Sequence, residues 1–133
     1  MDGSVIDLSK YRFERALEDL KTAEDNLNAG SYRASANRSY YAVFHALRSV
    51  TALDQFDSGK HSGIIAYVNL HYVKTGIFEK SFSKKIDSTM RLREKADYED
   101  FSPVTQEEAE RQLGRAREVV STVESYVSQR WEQ

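Results

Sequence analysis

Residues 31–50, SYRASANRSYYAVFHALRSV, decide the fold. Successive residues of a helix turn by about 100°. With Arg38 as origin, Ala36, Tyr40, Val43, Leu47 and Val50 fall within about 60° of the opposite side, an ordinary core stripe. His45 follows Arg38 by about two full turns, so the two side chains share the other face about 10.5 Å apart. Ala34, Tyr41 and Ala42 surround them, where a solvent-facing stripe would carry Glu and Lys. No acidic residue occurs between positions 31 and 53. A helix apolar nearly all round is buried on both sides. One domain of this size offers one core, so the second covering is expected from another chain. A two-fold homodimer through this second helix is the simplest arrangement.

Four more helices frame that segment. The first is predicted over 9–28, with Phe13, Ala16, Leu17, Leu20, Ala23 and Leu27 at helical spacing, Ser9 as N-cap and Gly30 as the left-handed residue at its end. Its short connection to residues 31–53 makes the two antiparallel neighbours. DQFDSGK, residues 54–60, reads as a loop. A third helix is predicted over 61–74, with Gly76 beyond it, and a strand around 67–73 is the weaker alternative because alternation is not clean. A fourth helix covers 81–96 through Phe82, Ile86 and Met90. A polar bend over 97–102 precedes Pro103. Thr105 and Glu108 form a capping-box pattern opening the fifth helix, whose stripe is Ala109, Leu113, Ala116, Val120, Val123 and Val127. The expectation is an all-α antiparallel bundle of about five helices, one domain over residues 1–133.

Composition narrows the chemistry. The chain has one proline, six glycines and no cysteine, which favours long helices and excludes disulfides, thiolate zinc sites and cysteine nucleophiles. No run approaches the roughly 20 apolar residues of a membrane helix, and the N-terminus lacks the pattern of a secretory signal. A cytoplasmic protein that does not engage membrane is the default. Net charge is −2, but residues 31–60 carry 4 basic and 2 acidic groups, and residues 1–30 carry 4 and 7. A ligand bearing phosphate therefore belongs in the middle of the chain. Three histidines without close carboxylate spacing make a poor metal site, and no Gly-rich phosphate loop is present, so neither metal nor cofactor is expected.

The pair Arg38 and His45 points to phosphate chemistry. Histidine exchanges a proton near neutral pH, and arginine offers several N–H donors to phosphate oxygens. Together they suit RNA cleavage without metal: His45 removes the 2′-hydroxyl proton and Arg38 stabilises charge on the attacked phosphate. Asn37, Ser39 and Tyr41 could hold the phosphate or orient the imidazole, and Tyr41 could stack on a base. Lys60 and His61 offer a second phosphate contact at the start of the third helix. Each has a plainer explanation. An Arg–x6–His spacing occurs by chance in many helices, where it serves packing and hydrogen bonding. Lys60 and His61 also read as an exposed cap, His71 as a surface or packing residue, Lys80, Lys84 and Lys85 as a solvated face, and Arg93 with Asp97 as an intrahelical ion pair.

NRSYYAVFHALRSV (37–50) resembles the signature helix of the HEPN family (higher eukaryotes and prokaryotes nucleotide-binding). The resemblance continues through GKHSGIIAY (59–67), VKTGIF (73–78) and LREKADYED (92–100), covering about residues 10–128. It implies a small helical bundle, usually a dimer. Active members are metal-independent ribonucleases with an Arg–x4–6–His motif, which Arg38 and His45 match at its longest spacing. Many bacterial members are toxins paired with a nucleotidyltransferase antitoxin, and others are non-catalytic partners. A polar residue often follows the motif arginine; here it is Ser39. A toxin subgroup carries a modified tyrosine two residues after the histidine; here that position is Leu47, so this feature is not transferred. The resemblance thus implies an endoribonuclease toxin acting on RNA rather than DNA. The alternative is a non-catalytic interaction or nucleotide-binding module that partners a nucleotidyltransferase.

Overall fold

A computed structural model describes residues 3–98 and 103–133. Its helices are α1 (Gly3–Asn28), α2 (Tyr32–Leu53), α3 (His61–Val68), α4 (Lys80–Tyr98) and α5 (Gln106–Trp131). The expected all-α bundle is thus present, with no strand among the described residues. Residues 99–102 of the expected polar bend lie outside the described residues.

The turn between α1 and α2 needs a left-handed residue, and Gly30 supplies it at φ 78° without a Cβ clash. The Thr105 hydroxyl accepts from the Glu108 N–H while the Glu108 carboxylate accepts from the Thr105 N–H, which completes the expected capping box. α3 does not end where its α-helical pattern stops. It runs on as a π-helical turn over Asn69–Val73, with the Lys74 N–H donating to the Asn69 carbonyl at 2.8 Å. The wider turn faces Tyr72 inward. Its hydroxyl donates to Asp54 at the end of α2, and Arg130 of α5 bridges Asp54 and Tyr72 at 3.0 and 3.1 Å.

Two expectations change. α1 begins six residues before Ser9, which is therefore no cap. Ser9 is fully buried; its hydroxyl donates to the Ser49 carbonyl at 2.7 Å and accepts from Trp131 Nε1 at 2.9 Å. A serine inside a helix is tolerated because those long-range partners satisfy it. The second change concerns α2. It packs against α1, α3, α4 and α5 of its own chain, so most of it is covered within one chain, while its Arg38, Tyr41 and His45 side stays half-buried. Tyr40, Val43, Leu47 and Val50 meet Phe13 and Ala16 of α1, Ile64 of α3, Ile86 of α4 and Val120, Val123 and Val127 of α5 in one core. Such a centre follows from the residues: small and apolar side chains at every turn let four helices approach one. No helix among the described residues is long and apolar enough to cross a membrane.

Candidate functional site

The α1–α2 pairing delivers a residue the sequence reading did not select. Asp19 lies on the buried stripe of α1, three residues after Ala16 and four before Ala23. Its side chain reaches both members of the α2 pair. Arg38 Nη1 donates to Oδ1 at 3.3 Å, and His45 Nε2 lies 3.5 Å from Oδ2. One carboxylate therefore spans the two turns that separate arginine from histidine. Its Oδ2 is buried and has no hydrogen-bond partner among the described residues; the approach of His45 is close but looser than a good bond. The sequence carried a signal for Asp19: a lone acid on an apolar stripe, opposite a helix with no acid at all.

The histidine is not the cation of an ion pair. Burial, followed by the guanidiniums of Arg15, Arg48, Arg38 and Arg12, pushes its pKa down to about 4. One carboxylate does not outweigh burial and four guanidiniums, so the imidazole is neutral near pH 7. With Nε2 turned toward a carboxylate, the ring hydrogen belongs on Nε2. Nδ1, which has no hydrogen-bond partner among the described residues, is left with its lone pair. Burial raises the pKa of Asp19, with Arg38 opposing that shift.

Around the pair lies a mixed aromatic and cationic patch. Arg38 sits over the Tyr41 ring at 4.8 Å. Arg93 of α4 lies 4.9 Å from the Tyr40 ring and 5.5 Å from the Tyr41 ring, and donates to the Tyr41 hydroxyl at 3.4 Å. Tyr41 thus braces two guanidiniums, and the ring face expected for a base is taken by Arg38. The His61 ring stacks on Phe44 at 3.8 Å, and its Nδ1 lies 2.8 Å from the Tyr40 hydroxyl. Burial and the nearby Arg93 and Arg48 lower the His61 pKa. Arg48 and Arg12 share Asp57 at 3.2 and 3.9 Å. Five guanidiniums, from Arg12, Arg15, Arg38, Arg48 and Arg93, therefore share this region with the carboxylates of Asp19, Asp57 and Asp97, and with Glu18 near Arg15 and Glu94 near Tyr40 at the margins.

The other expected residues divide. Asn37 is half-buried two turns before His45, and Lys60 is exposed beside His61 at the start of α3. Ser39 is fully buried; it is turned from the surface that Arg38 lines and does not reach a ligand there. Arg93 pairs with Asp97 at 3.4 Å as expected, yet it also serves the tyrosines, a role the local spacing hides. His71 is exposed beside Tyr67. Lys85 pairs with Glu118 at 2.8 Å. Among the described residues no group of three His, Cys, Asp or Glu could hold a metal. A groove between α4 and α5, lined by Arg91, Lys95, Glu108 and Arg111, shares no residue with this site.

These features define a class: a short helical bundle whose central helix presents an arginine and a neutral histidine around one buried carboxylate. The HEPN domain model matches residues 9–126, and the chain belongs to the HEPN family. A candidate toxin of Methanocaldococcus jannaschii is 35% identical over 98 residues, 68% of this chain and 72% of that protein. A UPF0332 protein of Thermotoga maritima is 26% identical over 118 residues, 89% of each. The crystal structure of a Thermus thermophilus protein superposes with a TM-score of 0.75 at 19% identity, over 88% of this chain and 96% of that one, and bears on the fold alone.

Proposed function

We propose that the protein is a metal-independent endoribonuclease, the toxin of a pair with a nucleotidyltransferase antitoxin. The observation that carries this is the convergence of Arg38 and a neutral His45 on Asp19, with the guanidiniums of Arg12, Arg15 and Arg48 close to the imidazole. His45 Nδ1 takes the 2′-hydroxyl proton. The 2′-oxygen bonds to the adjacent phosphorus as the bond to the 5′-oxygen breaks, and that oxygen takes a proton from water. The products are a 2′,3′-cyclic phosphate and a 5′-hydroxyl. Arg38 donates to the phosphoryl oxygens, where negative charge accumulates. The phosphate itself raises the His45 pKa from its low value, because it opposes the four guanidiniums that depress it. RNA is the expected substrate, since DNA lacks the attacking hydroxyl.

A homodimer accompanies this reading. Leu8 and Tyr11 of α1 are 42% and 55% exposed beside Arg12 and Arg15, a mixed surface suited to a second copy. The candidate-toxin relative supports a toxin–antitoxin setting. A non-catalytic interaction module is the second reading, favoured by the burial of Ser39 and by Arg38 being already engaged by Asp19 and Tyr41. Purified protein incubated with single-stranded RNA in EDTA separates them. Wild type yields cyclic-phosphate ends, and His45→Ala and Arg38→Ala, folded by circular dichroism, yield none. Equal inactivity of all three leaves the non-catalytic reading standing.

A further inference from the structure

The two imidazoles of the site are held in opposite senses. His61 Nδ1 lies 2.8 Å from the Tyr40 hydroxyl. Tyr40 is 1% exposed, and its pKa is pushed up to about 12, chiefly by burial, so it keeps its proton. A buried phenol hydrogen needs an acceptor, and His61 Nδ1 is the one that its hydroxyl meets among the described residues. The Tyr40 O–H therefore donates to Nδ1, and in the neutral ring the hydrogen sits on Nε2. Nε2 has no hydrogen-bond partner among the described residues and is not sealed from solvent. Stacking on Phe44 at 3.8 Å fixes the plane of the ring. His45 is the mirror case: its Nε2 faces Asp19 Oδ2 at 3.5 Å, and a lone pair is left at Nδ1.

The patch is continuous between them. Tyr41 lies 6.3 Å from the His45 ring and 6.0 Å from the His61 ring. We infer that His61 is a second catalytic residue, whose Nε2–H donates to a non-bridging oxygen of the phosphate that His45 and Arg38 act on. This rests on the ribonuclease reading above and deepens it. The base and the donor come from different helices, and each is set to its tautomer by a buried partner, Asp19 for one and Tyr40 for the other. No proton leaves His61 in the step. The 2′-hydroxyl proton goes to His45 Nδ1, the new phosphorus–oxygen bond replaces the one to the 5′-oxygen, and water protonates that leaving oxygen. His61 lowers the barrier by holding charge on the phosphoryl oxygen, the role for which a fixed donor is effective.

Two measurements on the full chain test the inference. Nitrogen-15 NMR of histidine-labelled protein at pH 7.5 should show a bare Nδ1 and a protonated Nε2 for His61, and Tyr40→Phe should move it toward a mixed tautomer. Titration with a 2′-deoxy dinucleotide, which binds without being cut, should shift the His61 Nε2 resonance. In single-turnover cleavage, His61→Ala should lose about 100-fold or more in rate with little change in half-saturation, as removal of one oxyanion donor does elsewhere. His61→Asn, whose amide keeps an N–H, should recover part of that loss. If wild type cuts no RNA, the ribonuclease reading has failed and the NMR arm still decides the donor role. A His61 protonated on Nδ1, or an Nε2 resonance indifferent to the dinucleotide while His45 responds, overturns the inference. So does full cleavage by folded His61→Ala.

Discussion

Acidification should weaken the fold through His45, and the amount can be worked out. Its native pKa is about 4 against an ordinary 6.5. A histidine with a depressed native pKa is protonated first in the unfolded chain, so its contribution is complete above pH 6.5 and is lost as pH falls toward 4. At pH 4.5 the full linkage is two pH units below the unfolded value, about 2.7 kcal/mol at 1.36 kcal/mol per unit. Solvent still reaches the side chain, which is 14% exposed, and we discount this to about 1.5 kcal/mol. Asp19 acts with opposite sign: its raised pKa lets the native state take up that proton first, so acidification through its range favours folding. The clean quantity is therefore a difference. Urea unfolding of wild type and His45→Gln at pH 7.5 and 4.5 gives the stability gap between the two proteins at each pH, in which groups that titrate alike in both cancel. Wild type should lose about 1.5 kcal/mol relative to His45→Gln between those conditions. An unchanged gap would refute the claim that the imidazole is held neutral among guanidiniums.

Other consequences follow from named contacts. Ser9→Ala removes the partner of Trp131 Nε1 and of the Ser49 carbonyl and should cost about 1–3 kcal/mol in urea unfolding, whereas an exposed first-turn position would lose far less. Tyr72→Phe deprives Asp54 and Arg130 of a shared hydroxyl and should lower stability by about 1–2 kcal/mol, with faster amide exchange along Asn69–Val73. Arg38→Lys keeps the charge but loses the planar fork over Tyr41; cleavage should fall by 10-fold or more while the melting temperature stays within a few degrees. Leu47→Ala, at 0% exposure in the shared core, should cost about 2–5 kcal/mol by thermal unfolding.

Much of the bundle was legible because its signals are local. Helix periodicity, Gly30 and the Thr105–Glu108 box act over a few residues, and all five helices appear, although α1 starts earlier and the α-helical part of α3 stops sooner than those signals put them. Misplaced features depend on distant partners. Ser9 looked like a cap because nothing nearby reveals Trp131, 122 residues away. The π-turn at Asn69–Val73 leaves no periodic signature of its own; Asp54 and Arg130 reward it by bonding Tyr72. Arg38 and His45 were readable because both lie on one helix. Asp19 and Arg93 complete the site across helix packing, and intrahelical spacing cannot report that.

The burial of α2 also changes what the missing acids mean. Their absence first suggested a seam between two chains, yet four helices of the same chain cover most of the segment. What remains unexplained by packing is the clustering of four guanidiniums near His45. Arg12 and Arg48 share one exposed Asp57, and burial, reinforced by the neighbouring guanidiniums, depresses both Arg12 and His45. The proposed ribonuclease activity gives that cluster a reason: over aromatic rings and a neutral imidazole, a phosphodiester would supply the negative charge, the acceptor oxygens and the hydroxyl that His45 deprotonates.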